Sequence, residues 1–237
     1  MAIFLKAQWR NIIMANYPVP ETLLMPFLPK GVELDLFQGK AYVSLVGFMF
    51  QNIKLFNIPV PWFGNFEEIN LRFYVKKTEG EIVKRGVVFI SETAPYRAVA
   101  WLANKMYKEH YRVVSAQHTW LSKDNFKYIQ YKWFLNNKWN SIDVKAFELK
   151  TKMLAGSFEN FIFEHYYGYT KINATITEQY SIKHPSWMIN AVVESKVSCD
   201  FDEMYGKEFG FLSSLQPEAT FLAEGSSIQI DWKRSRV

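Results

Sequence analysis

Alternating apolar and polar positions predict that β-strands make up most of this chain. Residues 40–50, KAYVSLVGFMF, form a long apolar run of strand-forming residues, which is typical of a buried strand. Residues 69–75 and 86–92 flank a glycine-containing polar turn and predict a hairpin. From residue 111 onward, three more strand-like segments are separated by short polar turns. Strands joined by short turns favour antiparallel pairing.

A few short helices interrupt the predicted strands. In the segment 95–108, apolar residues recur at helical spacing. Ser157 is a suitable N-cap for a helix in the segment GSFENFIFEHY. Two more short helices are predicted within 18–31 and 202–209. No linker, fixed-period repeat or low-complexity tract divides the chain, so we expect residues 1–237 to form one mostly β (α+β) domain.

The segment 55–66, LFNIPVPWFGNF, does not fit any regular element. It contains two prolines, a glycine and four bulky aromatic residues. We interpret it as an apolar loop that packs against the core, and a lid or a subunit contact are the alternatives. Together with the apolar strands, this loop leaves formation of a homo-oligomer open.

Composition and charge narrow the classes of function. The chain has 237 residues, 49% of them hydrophobic, so it can bury a substantial core. The net charge of +5 is mild and no nucleic-acid-binding motif is present, so we expect no nucleic-acid partner. No apolar run of about 18 residues and no signal-peptide pattern occurs, which predicts a cytoplasmic protein without a membrane partner. The single cysteine, Cys199, excludes an intramolecular disulfide, and we interpret it as apolar filler.

The strand EEINLRFYV divides its side chains in an unusual way. One face carries Glu68, Asn70, Arg72 and Tyr74, and the other carries apolar residues. Such a row is either an ion-pair ladder on a solvent face or the polar lining of a cavity, where buried polar groups need partners. We expect Glu68 and Arg72 to pair, and an arginine in a pocket also suits a carboxylate ligand.

A second group of candidate residues lies where the predicted helix passes into a strand. It holds Lys108, Glu109, His110, Tyr111 and Arg112, and Tyr107 directly precedes it. Junctions of this kind often carry functional groups, and histidine titrates near neutral pH. A polar helix end, whose cations offset the helix dipole, is the alternative interpretation.

Metal and cofactor motifs are not found in the sequence. His165 and His184 lack a metal-ligand partner at short spacing, and His110 and His118 lack the zincin pattern, so we expect no metal site. No nucleophile elbow, P-loop or dinucleotide-binding fingerprint is present, and no cofactor is expected.

Five short motifs carry a family resemblance. The most specific is Glu-x-Asn-x-Arg-x-Tyr-Val at residues 68–75, and Gly-x-x-Phe follows at 86–89. An aromatic-x-x-Pro-Tyr motif corresponds to 107–111, with histidine in place of proline. Glu-Arg-Tyr corresponds to 164–166, with histidine in place of arginine, and a His-x-Pro-Trp-like motif corresponds to 184–187. Together they resemble the YqjF-like family of uncharacterised proteins, within the acetoacetate-decarboxylase-like superfamily.

This resemblance implies a largely antiparallel β architecture wrapped around a central cavity, into which the row that begins at Glu68 would point. Decarboxylases of the superfamily use a Schiff-base lysine beside a second cation, in a Pro-Lys-Lys segment. That segment corresponds to His110, Tyr111 and Arg112, so both lysines are absent and the decarboxylase activity is not carried over. The resemblance instead implies a cavity with the acid Glu68 and the cations Arg72 and Arg112.

Three functions fit these patterns. The first is binding of a small anionic or aromatic molecule. The second is an enzyme in which Glu68 or Glu109 acts as general acid or base on a carbonyl or enolisable substrate, without a Schiff base. The third is a structural or oligomeric protein without a ligand. If the row is buried, Arg72→Met should destabilise the fold by about 3–5 kcal/mol. The candidate ligand-binding residues are Asn70, Arg72, Tyr74, Tyr107, His110, Tyr111 and Arg112.

Overall fold

The computed structural model describes residues 3–107, 111–232 and 235–237. Its strands are β1 Ile3–Val19, β2 Glu33–Leu34, β3 Ala41–Leu55, β4 Ile58–Pro59, β5 Phe66–Glu79, β6 Ile82–Ala94, β7 Tyr111–Val113, β8 Ser115–Lys123, β9 Phe126–Leu135, β10 Lys138–Lys152, β11 Tyr167–Lys171, β12 Thr177–Lys183, β13 Met188–Ser198, β14 Ala219–Asp231 and β15 Ser235–Arg236. Its helices are α1 Glu21–Leu24, α2 Arg97–Tyr107, α3 Phe158–Phe163 and α4 Phe201–Tyr205, with a 3₁₀ helix at Lys207–Ser214. The chain is therefore mostly β with a few short helices, as the sequence predicts.

The strands form one continuous sheet. Their order is β15-β12-β11-β6-β5-β3-β1-β14-β13-β10-β9-β8. Most neighbours are antiparallel, as predicted, while β6 pairs in parallel with β11 and with β7. The sheet curls until β12, near one end of this order, also pairs with β14 in its middle. This second pairing brings the intervening strands around a common interior.

The middle strands of the sheet are buried on both faces. Along β3, Val43 and Leu45 pack into one apolar cluster while Tyr42 and Val46 pack into another. A strand covered on both sides needs apolar residues at successive positions rather than at alternate ones. This explains the continuous apolar run at 40–50 and confirms the prediction of a buried strand there.

The first strand is the largest element that sequence patterning does not predict. β1 is 17 residues long and pairs with both β3 and β14. Its pairing with β3 shifts register twice, between Lys6 and Gln8 and between Arg10 and Ile13. Asn11, inside the second shift, has a positive φ of 48°. Because each bulge moves the following side chains to the other face, the simple alternation that marks a strand is lost.

The helices agree with prediction in position and are mostly shorter. Ser157 caps α3 as expected, since its Oγ accepts a hydrogen bond from the backbone N–H of Asn160. The apolar loop at 55–66 contains the two-residue strand β4, paired with the end of β3, so this segment is not wholly irregular. No helix among the described residues is long and apolar enough to span a membrane.

Candidate functional site

A cavity of about 210 Å³ lies among the strands that the β12–β14 pairing brings together. Its walls are mainly aromatic and aliphatic, and they include Trp9, Phe48, Phe50, Phe66 and Trp187. A small number of polar side chains also line it. An apolar pocket with a few convergent polar groups is the usual composition of a small-molecule site. These polar lining residues include Glu68, Asn70, Arg72, Glu92 and Tyr111.

Strand β5 carries three of these polar residues on one face. Glu68, Asn70 and Arg72 all line the cavity, and the first two are 2% and 1% exposed. The other face of β5 packs Ile69 and Leu71 into the core. The polar row is therefore not a solvent-facing ladder at Glu68 and Asn70.

Two donors among the described residues hold the carboxylate of Glu68. Asn70 Nδ2 donates to its Oε1 at 3.0 Å, and the Tyr111 hydroxyl donates to its Oε2 at 2.7 Å. Tyr111 itself is held by the side chain of Asn104 on α2. Asn104 Oδ1 accepts from the Tyr111 backbone N–H at 2.7 Å, and Asn104 Nδ2 donates to the Tyr111 carbonyl at 3.0 Å. Helix α2 thus positions the phenol that contacts the carboxylate.

Arg72 does not pair with Glu68, which corrects the prediction. Four residues of extended chain separate their Cα atoms by about 13 Å, too far for an ion pair along one strand. A register shift between Leu71 and Arg72 also interrupts the β5–β6 ladder at this point. Arg72 Nη2 instead lies 3.3 Å from the Met14 thioether sulfur and 3.5 Å from the Ile162 carbonyl oxygen.

The Arg72 guanidinium has only weak partners. Among the described carboxylates, none forms an ion pair with it, and its buried Nε has no hydrogen-bond acceptor. It also lies 5.6 Å from the centre of the Tyr74 ring. A cation in an apolar wall with thioether and carbonyl contacts alone is suited to an anionic ligand.

Tyr74, the last residue of the row, lies outside the cavity. It is 1% exposed, and its hydroxyl is 2.5 Å from the Ser44 hydroxyl, which donates to Asn16 Oδ1 at 2.6 Å. Its ring packs 4.7 Å from that of His165. Tyr74 therefore belongs to a buried polar chain behind the wall, and supports Arg72 from there.

Glu92 is a cavity residue that the sequence reasoning missed. It lines the cavity, is 4% exposed, and lies opposite Asn70 in the β5–β6 pairing and opposite Tyr111 in the β6–β7 pairing. Opposed residues share a face of a sheet, so Glu68 and Glu92 are diagonal neighbours on the cavity side. The hairpin predicted at 69–75 and 86–92 included Glu92, but only as the last residue of its second strand.

The remaining candidate residues are placed differently. Arg112 does not line the cavity: its Nη1 donates to the carbonyls of Glu203 and Met204 at 2.9 and 2.7 Å, at the end of α4. Glu109 and His110 lie outside the described residues, as does the side chain of Tyr107.

The motifs at 164–166 and 184–187 meet beside the cavity. Glu164 accepts hydrogen bonds from Tyr166 and from Ser186. The His184 ring stacks on Tyr166 at 4.7 Å and on Trp187 at 4.2 Å, and Trp187 is part of the cavity wall. These contacts explain the two motifs as a structural support for the wall.

His165 is buried behind the Arg72 wall. Its Nε2 lies 3.4 Å from Asp35 Oδ2, and Arg85 Nε donates to the same oxygen at 2.6 Å. Burial lowers the pKa of His165 to about 4, so the ring is neutral at neutral pH. Burial opposes ionisation of Asp35, but the nearby His165 ring and the hydrogen-bonded Arg85 guanidinium outweigh it and lower the pKa of that carboxyl. The ion pair here is therefore Asp35 with Arg85.

Nothing in the described part of the chain groups three or more His, Cys, Asp or Glu side chains in a way that could hold a metal ion. The described lining of the cavity offers two carboxylates, a guanidinium, an amide and two phenols.

Comparison with known proteins identifies the family. The model of the DUF2071 uncharacterized conserved proteins matches residues 6–227. The chain belongs to the DUF2071 family. A relative, the uncharacterized protein YqjF of Bacillus subtilis (strain 168), is 33% identical over 94 residues, which are 39% of this chain and 37% of the relative. The alignment thus covers little more than a third of that relative. The YqjF-like resemblance is confirmed.

Solved structures show how widely this DUF2071 fold is shared. Acetoacetate decarboxylase from Legionella pneumophila has a TM-score of 0.65 at 9% identity, covering 100% of this chain and 88% of its own. An acetoacetate decarboxylase-like enzyme from Sphingomonas wittichii RW1 has a TM-score of 0.67 at 9% identity, covering 100% and 94%. The enduracididine biosynthesis enzyme MppR, complexed with a condensation product of pyruvate and imidazole 4-carboxaldehyde, has a TM-score of 0.66 at 10% identity, covering 100% and 90%. At such identities the likeness shows the fold alone, and the predicted acetoacetate-decarboxylase-like fold is confirmed.

Proposed function

We propose that this DUF2071 protein binds a small molecule that combines an apolar or aromatic body with one anionic group. The observation that carries the proposal is Arg72, a cation in the wall of an apolar cavity without an ion-pair partner among the described carboxylates. An anion that accepts from the guanidinium would supply the missing charge partner.

The other lining residues support an apolar body for the ligand. Phe48, Phe50, Phe66 and Trp9 form edge-to-face or tilted ring contacts with one another, which leaves an aromatic surface around the cavity. Such a surface favours aromatic and aliphatic groups through burial of apolar area. The MppR complexes with pyruvate and with a pyruvate-derived product support a carboxylate ligand in a related fold.

The test is a thermal-shift panel built on matched ligands. Phenylacetate and phenylpyruvate would be compared with the neutral isostere phenylacetamide. A ligand at about 100 times its Kd should stabilise the protein by about 2.7 kcal/mol. The expected result is a shift with the acids that is absent with the amide and is lost in Arg72→Met.

The matched control is Arg10→Met, because Arg10 does not line the cavity and bonds to Gln8. This variant should keep the full ligand shift. An equal shift with acid and amide, or a shift that survives Arg72→Met, would contradict the role given to Arg72. A panel without any shift would count against a ligand of this class.

A second candidate function is acid–base catalysis on an enolisable carbonyl compound. The observation that favours it is the buried Glu68 carboxylate, which contacts the Tyr111 hydroxyl and has Glu92 as a diagonal neighbour. A carboxylate held in an apolar cavity is a suitable general base. This candidate reaction requires no imine, and the described residues that line the cavity include no lysine.

The enzyme candidate is distinguished from simple binding by proton exchange. NMR in D₂O would follow exchange of the α-protons of phenylpyruvate with wild-type protein and with Glu68→Gln. Catalysis predicts exchange that is lost in Glu68→Gln, while the thermal shift with the same ligand persists. A thermal shift without protein-dependent proton exchange would support binding of the ligand without catalysis.

A further inference from the structure

Large apolar side chains are exposed around the mouth of the cavity. We call six of them the mouth patch: Phe56, Ile58, Trp62, Phe63, Trp101 and Trp232. Trp62 is 86% exposed, Ile58 69% and Trp101 61%. Exposure of so many large apolar residues in adjoining segments indicates an interaction surface rather than scattered surface residues.

The mouth patch is continuous with the cavity wall. Phe63 belongs to both, and Phe56 and Trp232 pack against Phe4, a lining residue, at 5.4 and 5.5 Å. Trp101 follows Ala98 and Val99 on α2, which also line the cavity. The patch and the cavity wall therefore form one continuous apolar surface.

The backbone of the loop is strained at Trp62. Its φ of 62° is a left-handed conformation that bulky residues rarely adopt, and such strain persists only where the surrounding structure imposes it. Phe56 also has a positive φ, of 50°, but with Asn57 it forms the two-residue turn between the paired residues Leu55 and Ile58, where a primed hairpin turn requires positive φ at both positions.

The charged residues within the two described segments that carry most of the mouth patch have one sign. Lys54, Arg97 and Lys105 are exposed, and segments 52–66 and 95–105 contain no Asp or Glu. Lys105 Nζ lies 4.7 Å from the centre of the Trp101 ring. Next to Trp232, the single acid Asp231 is 4% exposed and bonded to Lys183.

We propose that the mouth patch docks on the surface of an anionic phospholipid bilayer. Tryptophan and other large apolar side chains enter the boundary between headgroups and acyl chains, and nearby cations bind the anionic headgroups. A second copy of this chain fits less well, because a twofold contact would place Lys54, Arg97 and Lys105 against the same cations. The sequence alone predicted no membrane partner. The proposal departs from that prediction because the apolar loop, α2 and the end of β14 are brought together only when the chain folds.

The docking surface goes beyond the proposed ligand binding and gives an apolar ligand a route to the cavity. The test is co-sedimentation of the full chain with phosphatidylcholine vesicles, with and without phosphatidylglycerol. We expect binding to the anionic vesicles and much weaker binding to the neutral ones. The double variant Ile58→Ser, Trp62→Ser should weaken binding at least about tenfold through loss of buried apolar area.

Two further variants distinguish the contribution of charge to vesicle binding from that of apolar contact and from non-specific binding by exposed apolar residues elsewhere. Lys54→Glu should weaken binding to anionic vesicles about fivefold or more, equivalent to ~1 kcal/mol per cation, and leave neutral vesicles unaffected. The control is Leu149→Ser, Trp139→Ser, which removes exposed apolar residues away from the mouth and should bind like wild type. Unchanged thermal midpoints in all variants would show that the folds are intact.

Three results would overturn the proposal. The first is no co-sedimentation with either vesicle. The second is an equal loss of binding in the Leu149, Trp139 control. The third is a stable dimer by light scattering that Ile58→Ser, Trp62→Ser converts to monomer, since the patch would then be occupied by a second copy. None of these results depends on whether a carboxylate ligand binds, so the proposed function is tested separately.

Discussion

Tyr111 and Glu68 come from segments 43 residues apart and meet in a hydrogen bond of 2.7 Å inside the cavity. The phenol is delivered by β7, and the carboxylate by β5, which is two strands away across β6. Because Glu68 is 2% exposed, water does not readily replace this donor when it is removed.

Removing the Tyr111 hydroxyl should therefore destabilise the protein. Tyr111→Phe deletes a donor to a buried carboxylate, and we expect the free energy of unfolding in urea to fall by about 1–3 kcal/mol. The matched control is Tyr96→Phe, whose hydroxyl has no hydrogen bond to another described residue and whose loss should change stability little. Equal stability for both variants would contradict the importance of the Tyr111–Glu68 bond.

Arg72→Met should have a small effect on stability, in contrast to the loss expected from the sequence. The sequence-based estimate assumed that Arg72 neutralises Glu68, so its removal would leave a buried charge unpaired. Since Glu68 is held by Asn70 and Tyr111 instead, we expect the free energy of unfolding to change by less than about 1 kcal/mol. Urea unfolding of the wild type and of Arg72→Met tests this expectation. A loss of about 3 kcal/mol or more would indicate that Arg72 does neutralise a buried carboxylate.

Acidification should weaken the fold through His165. Burial lowers its pKa to about 4, below the value of about 6.5 in the unfolded chain. As pH falls from 6.5 toward 4, the unfolded state gains a proton that the folded state does not bind, so stability declines by about 3 kcal/mol. Below that range, Asp35, whose pKa is also lowered, adds a further loss.

The pH prediction is checked by urea unfolding at about pH 7.5, above the window set by the two pKa values of His165, and at about pH 4.5, near the lower end of that window. His165→Gln should reduce the difference between the two pH values. His118→Gln is the matched control, because His118 lies on an exposed part of β8 and contacts Glu67 rather than Asp35. His184, whose pKa is lowered mainly by burial, should leave a residual dependence in both variants. An unchanged dependence in His165→Gln would refute the assignment.

Gly225 should tolerate no side chain. It has φ of +80°, and a Cβ there would lie 2.0 Å from the Trp9 carbonyl oxygen in the β1–β14 ladder. Gly39→Ala is a matched control, because its φ is +77° and nothing lies within 4 Å of its Cβ position. Both variants should lose ~1 kcal/mol from the left-handed backbone, and Gly225→Ala a further 1–3 kcal/mol or so from overpacking. Equal thermal midpoints for Gly225→Ala and Gly39→Ala would contradict the close contact between β1 and β14 at Gly225.

Sequence patterning predicted those features that depend on a single segment. The buried strand β3 and the Ser157 cap follow from local residue types, and both are present. The position of Glu92 depends instead on register between β5 and β6, and the direction of Arg72 depends on the shift in that register. Strand β1 was missed because its bulges hide the alternation. Pairing between strands decides these features, and one segment alone does not contain it.

Asn104 couples helix α2 to the phenol that contacts Glu68. Its two hydrogen bonds to the Tyr111 backbone tie the end of α2 directly to the start of β7. Asn104 is not among the residues that line the cavity, yet it fixes the backbone of one that does. Asn104→Ala is therefore a way to move the Tyr111 hydroxyl relative to Glu68 while the side chains of the cavity wall stay unchanged.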